Sequence, residues 1–425
     1  MTEQLLHYIW QYQYFNTKHL RTTGGENILV IHPGIHNKNQ GPDFLSAKLK
    51  IGDTTWAGNV ELHVHSREWN EHEHSLDDNY RNVILHVVWM DGGDTDLDFP
   101  TLELQAFVPK LLLDKYRLLM EQPRFVACEN HISAVDNLTV IAWKDRLVAE
   151  RLEQRALLVE QLLEQCNGHW EQCCLVLLAR NFGMKVNTDA FQKIMASIPF
   201  AILQRHRSQL IQLEALLFGQ AGLLEREFSE AYPAMLKKEY AFLAKKYNLK
   251  SAGIPLFFLR MRPANFPTIR LAQLAALIHN NSGFFSMFTG SDDLHEVAKI
   301  FAVEANDYWL YHYVFDETSA YRKKSPGKQM IVNIFLNTII PLLFSYGKQF
   351  KKEDQKVKAM RWLNKLPPEA NSITAGFVKL KVENSTASDS QALLQLRQQY
   401  CDHKKCLHCA IGNAILKKQV TTDNR

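Results

Sequence analysis

The sequence predicts an α+β protein, with an N-terminal mixed β-sheet domain and flanking helix followed by a larger all-helical region. Two observations carry this. Between residues 28 and 108, apolar residues either alternate with polar ones or run unbroken over strand-sized lengths. From about Leu138 onward they recur at helical spacing, with Gly and Pro as punctuation. At 425 residues the chain is too long for one ordinary core. The expected division is 1–130 for a β-rich domain, 131–370 for a helical domain and 371–425 for a C-terminal helical tail bearing a cysteine cluster.

The opening stretch "TEQLLHYIWQYQYF" reads as an aromatic amphipathic helix, and "NILVIHPG" as a short strand closed by Pro33 and Gly34. In "FLSAKLKI", Leu45, Ala47, Leu49 and Ile51 alternate with Ser46, Lys48 and Lys50, the period of a half-buried strand. Gly52-Asp53 turns the chain and "TWAGNVELHVH" returns as the partner strand. "NVILHVVW" is apolar enough to be buried on both faces, and "TLELQAFV" supplies another alternating strand. "VIAWKDRLVAERLEQRALLVEQLLEQC" then begins the helical region, with Arg146, Arg151 and Arg155 on its polar side. "KLPPEANSITAGF" joins the last helices to the tail.

Apolar residues make up 46% of the chain and charged ones 22%, the balance of a folded globular protein. A net charge of +4 permits a nucleic-acid partner without requiring one. No opening segment has the make-up of a secretion signal, and no apolar run is expected to reach bilayer length. A cytoplasmic location and no membrane partner are therefore expected. In that compartment, seven cysteines serve as thiols or as metal or cluster ligands rather than disulfides. The chain contains no Walker A loop, G-x-G-x-x-G or G-x-S-x-G, so the motor, Rossmann and nucleophile-elbow chemistries are not indicated.

The chemistry-bearing residues fall into three groups. Strand alternation puts Glu61, His63 and His65 on one face and Val60, Leu62 and Val64 on the other. Asp43 follows Pro42 where the preceding strand starts, so a hairpin could bring it to one end of that row. Asp43 and Glu61, with His65, are the expected ligands of Mg²⁺ or Mn²⁺, and Asp43, Glu61 and His63 the expected catalytic residues. His72 and His74 are expected as surface-loop residues, alongside Asp77 and Asp78. His86, inside an apolar strand, must find a partner.

In the second group, Cys401, Cys406 and Cys409 lie within nine residues, close enough to surround one ion or cluster. Zn²⁺ or an iron–sulfur cluster is expected there. The fourth ligand is left open between His403 or His408 nearby and Cys128, Cys166, Cys173 or Cys174 upstream. In the third group, Arg260, Arg262 and Arg270 surround a Pro-anchored loop before a helix and are the candidate substrate contacts.

The run "GPDF…GNVELHVHSREW…HEH…NVILHVV", with "LARNFGMKVN", "LEALLFGQAG", "RMRPANFPTIR" and the cysteine tail, resembles an uncharacterised bacterial family, domain of unknown function 2851. That resemblance spans nearly the whole chain and implies no activity. A looser one is to the PD-(D/E)XK nucleases, which are restriction-endonuclease-like in fold. There a Pro-Asp opens one strand and an acid-x-Lys lies on the next strand of a hairpin. Pro42-Asp43 and Glu61-x-His63 would match these elements, with Glu26 as an upstream acid and His63 where lysine is usual. The tail is similar to that of nucleases whose C-terminal cysteines close an iron–sulfur cluster, although Asp43 and Glu61 precede every cysteine here.

The expectation is a metal-dependent hydrolase, a nuclease cleaving phosphodiester bonds in DNA or RNA. The alternative is a non-enzymatic nucleic-acid-binding or scaffold protein with a degenerate nuclease-like fold and a structural metal tail.

Overall fold

The computed structural model describes residues 1–37, 40–72, 74–93, 97–121, 125–259 and 261–417. It is α+β, and the chain divides into two compact units. The first comprises Met1–Trp143, Lys379–Val382 and Leu396–Arg425. The second, Lys144–Val378 with Glu383–Gln395, is helical apart from a small ribbon at 312–318.

The first unit opens with α1 (Glu3–Gln11), whose N-terminus is capped by Thr2, Oγ1 accepting from Leu5 N–H. A mixed sheet follows, from β1 (Ile28–His32), β2 (Ile35–His36), β3 (Phe44–Ile51), β4 (Thr54–His65), β5 (Val83–Met90) and β6 (Thr101–Glu103). β3 pairs antiparallel with β1, β2 and β4, while β5 runs parallel to both β4 and β6. The chain crosses from β4 to β5 through one short helix, α2 (Glu68–Glu71), and two 3₁₀ turns. Leu5, Leu6, Ile9 and Trp10 of α1 bury against Phe44, Leu49, Val60, Leu62, Leu85 and Val87. A further helix, α3 (Lys110–Glu121), adds Leu112 to this core.

Strand alternation holds for β4, with Val60 and Leu62 in the core and Glu61 and His63 on the opposite face. It fails at the start of β3. Ser46 takes φ +57°, and the register jumps from Ala47↔Gly58 to Phe44↔Val60, two residues on β3 standing where β4 has one. This bulge turns Phe44 inward and leaves Leu45, expected inside, 37% exposed. The same slip sets Asp43 opposite Glu61. Without it, residue 43 would face Leu62 on the apolar side.

β5 comes very close to β4 where the parallel pairing begins. A Cβ on Gly58 would stand 2.4 Å from Ile84 Cγ2 and 2.7 Å from the Asn82 carbonyl oxygen.

In the second unit, a 22-residue helical stretch, Lys328–Gln349, is long and apolar enough to span a bilayer, which the sequence reading did not expect. Two-thirds of its apolar window (67%) is buried within the protein. A π-helical segment, Phe335–Ile339, carries it through Pro341, and Arg155 donates to the Leu336 carbonyl beside it. Arg155 and Arg151, expected on a polar face, are half-buried and engaged, Arg151 with Gln391. Glu214 is fully buried, accepting a hydrogen bond of 2.8 Å from Tyr232 Oη, and burial pushes its carboxyl up to about 8.

Two outcomes follow. Gly58→Ala should cost about 1–3 kcal/mol by overpacking, read as a lower urea midpoint at unchanged slope; equal midpoints would refute the close approach. Glu214 stays protonated in the folded chain while its unfolded counterpart ionises from about pH 4.5. Wild type should therefore lose stability relative to Glu214→Gln as pH rises from 5 to 8, by at most about 1.4 kcal/mol per unit. Denaturation at both pH values measures this, and a gap independent of pH would contradict it.

Candidate metal centre

Asp43 and Glu61 lock together through the backbone. Asp43 N–H donates to Glu61 Oε2 at 2.9 Å, and Leu62 N–H donates to Asp43 Oδ2 at 3.0 Å. Each carboxylate thus steadies the other's strand. Glu61 Oε1 points the other way, 3.7 Å from His63 Nε2 and 3.4 Å from His74 Nε2. His7, one helical turn beyond Glu3 on α1, places Nε2 3.0 Å from Asp43 Oδ2.

Two sets of ligand atoms result, each gathered within 4.8 Å: His63, His72 and His74 in one, Glu3, His7 and Asp43 in the other. Glu61 lies between them. The segment after β4 builds the first set by folding back over the sheet, where Trp69 is buried and its indole donates to Ser75 Oγ. The His74 ring stacks on Tyr80 with centroids 3.9 Å apart. His86, beside Glu61 on β5, contacts His63 Nδ1 through its Nε2 at 2.9 Å. That contact ties up one nitrogen of His63 and turns the other, Nε2, toward Glu61, the outer-shell arrangement typical of metal-binding imidazoles.

Electrostatics set this centre apart from an ordinary ion-pair network. Burial, then the neighbouring Asp43, pushes the Glu61 carboxyl up to about 9. Burial, then His86, His74 and His72, pulls His63 down to about 2, and burial pulls His86 down to about 4. Among the described contacts of Asp43 and Glu61, the basic partners are all histidines. A buried carboxyl beside neutral imidazoles, with no fixed cation, offers lone pairs and lacks positive charge. Exposure grades from buried Glu61 and His63 through half-buried Asp43, His7 and His74 to exposed His72 and Glu3.

The sequence-level candidates separate accordingly. Asp43, Glu61 and His63 converge. His65 is half-buried at the end of β4, opposite Met90, and no described contact takes it to either carboxylate. His72 and His74, expected as loop bystanders, join the cluster, as do His7 and Glu3. Glu26 lies beside the Gly52 turn, at the other end of the hairpin, so Glu3 is the upstream acid that reaches Asp43. Arg270 is 6% exposed and its guanidinium is used by Gln273 and Asn265 inside the helical unit, so it is a core residue rather than a surface contact. Arg262 is exposed in the same unit, and Arg260 lies outside the described residues.

A family model described as "Protein of unknown function (DUF2851)" matches residues 3–372. The chain belongs to this family. No curated protein and no solved structure matches it. The span matched by DUF2851 contains every residue of the acid–histidine cluster and stops before the three tail cysteines.

Replacing Glu61 with Gln should weaken Mn²⁺ binding by roughly tenfold or more while leaving the melting temperature nearly unchanged, since the amide mimics a protonated carboxyl. His65→Ala should bind as wild type does. Calorimetric titration decides, and undiminished affinity in Glu61→Gln would remove that residue from the centre.

Proposed function

We propose that the acid–histidine cluster is the divalent-metal centre of a hydrolase that cleaves phosphodiester bonds in DNA or RNA. The observation that carries this reading is Asp43, which follows Pro42 immediately before β3, held directly against Glu61 of a Glu-x-His on the next antiparallel strand, beside a helix. This placement agrees with the Pro-Asp and acid elements of the nuclease pattern and departs from it at the third residue. His63 stands where that pattern has lysine. Being buried and neutral, it supplies no positive charge, and its Nε2, turned toward Glu61 Oε1, suits it to ligation or proton acceptance.

Asp43 and Glu61 would provide oxygen ligands, and His63, His72 and His74 nitrogen ligands; Mn²⁺ or Zn²⁺ suits so mixed a set better than Mg²⁺. When bound, the cation polarises a phosphoryl oxygen and acidifies water. Glu61, whose carboxyl is pushed up to about 9, would give up its proton to serve as an oxygen ligand. His7 fixes the Asp43 carboxylate from the outside, its Nε2 lying 3.0 Å from Asp43 Oδ2. The protein would act in the cytoplasm on a nucleic-acid substrate.

The burial of Glu61 and His63 favours a second reading, a nucleic-acid-binding or scaffold protein whose metal is structural. Cleavage of labelled DNA and RNA with Mn²⁺ or Mg²⁺ separates the two. Wild type should cut, with Asp43→Asn and Glu61→Gln slower by about a hundredfold or more. A wild type that binds metal and nucleic acid yet cuts neither polymer would sink the hydrolase and leave the scaffold.

A further inference from the structure

The tail thiols Cys401, Cys406 and Cys409 meet Cys128 in the first unit, each within electrostatic reach of the others. Cys406 and Cys409 are buried, Cys128 and Cys401 half-buried, and all four are free of disulfides. The packing around them is specific. Leu407 and Leu416 insert into the sheet core, against which Cys128 also packs. The tail helix, Ala410–Lys417, rests on α3 and on the Ile132–Ala134 turn. That turn starts at Cys128, whose carbonyl accepts from His131 and Ile132 N–H, both at 2.9 Å. Gly412 admits the close approach, since a Cβ there would lie 2.3 Å from the Cys406 carbonyl oxygen.

Cys409 is buried immediately before the tail helix, where the backbone N–H groups of Ile411 and Gly412 lie on its side. N–H groups at a helix start favour a thiolate over a neutral thiol. The other three cysteines, Cys166, Cys173 and Cys174, belong to the helical unit.

We propose that Cys128, Cys401, Cys406 and Cys409 form a four-thiolate centre for a thiophilic metal, one zinc ion or an iron–sulfur cluster, that fastens the tail to the β-rich unit. On loading, four thiols release four protons and each sulfur donates a lone pair to the metal. A zinc ion or a cluster core carrying two positive charges leaves two negative charges in excess. Arg397 and Lys404, facing Cys401 and Cys406, offset them. The centre is independent of the hydrolase reading.

The test uses full-length protein purified without oxygen. Metal and acid-labile sulfide are counted per chain, and a Co²⁺-loaded sample is examined for sulfur-to-metal charge-transfer absorption, which histidine and carboxylate sites do not give. Zinc without sulfide, or iron with sulfide and broad visible absorption, should be present in wild type and in Cys174→Ser. Cys128→Ser should lose it, with its far-ultraviolet dichroism retained. Should that variant fail to fold, Cys128→His is expected to fold and hold the metal through three thiolates and an imidazole. Stripping wild type with a chelator should speed tryptic cleavage at Lys404–Lys405 by roughly tenfold or more. A wild type without thiolate-bound metal overturns the centre. Full metal retention in Cys128→Ser overturns the assignment of the fourth ligand.

Discussion

Asp43 can face Glu61 only because β3 holds one more residue than β4 between the Ala47–Gly58 and Phe44–Val60 pairs. A side chain's face in a strand is a matter of parity, so one inserted residue inverts everything beyond it. The inversion sends Phe44 into the core and brings an acid that would have met Leu62 onto the polar face. Ser46 absorbs the irregularity at positive φ, and its N–H is taken up by Asn59 Oδ1 on the partner strand. The contacts of Asp43 with Glu61, Leu62 and His7 all sit downstream of that local distortion.

The cluster is expensive to maintain without a cation. Glu61 is buried next to a second carboxylate, and the chain answers by keeping it protonated rather than by supplying Lys or Arg. A lysine at position 63 would have closed the site with an internal ion pair. Histidine leaves an acceptor nitrogen on offer, steadied from behind by His86. The polar side of these strands thus carries the unpaired lone pairs, while the apolar side of the same strands carries the packing.

What the sequence reveals follows the range of the interactions. Alternation along one strand correctly separates Val60 and Leu62 from Glu61 and His63, because neighbours in sequence decide it. The hairpin through Gly52 and the buried character of β5 are equally local. The bulge at Ser46 leaves no apolar or polar signature, so Leu45 is misplaced. His7 and His74 reach the site from a helix and a return loop, and only the packing of Ile9, Trp10 and Trp69 brings them there. The Glu-His pair of α1, spaced one turn apart, is the local trace that this contribution leaves in the sequence. Arg270 reads from the sequence as a phosphate-binding arginine ahead of a helix, yet it lies in the first turn of a helix that is buried almost throughout, which periodicity alone does not disclose.

The core of the β-rich unit is discontinuous in the chain. Leu407 and Leu416 belong to it together with Leu5 and Phe44, and the whole helical unit is encoded in between. On the ribosome, the sheet is therefore complete in strands long before its last core residues exist. The nascent first unit must persist with an open apolar face while more than two hundred residues of helix are made. Vectorial synthesis makes the tail a closing step in maturation, and the sheet reaches its final packing only after the rest of the polypeptide has been produced.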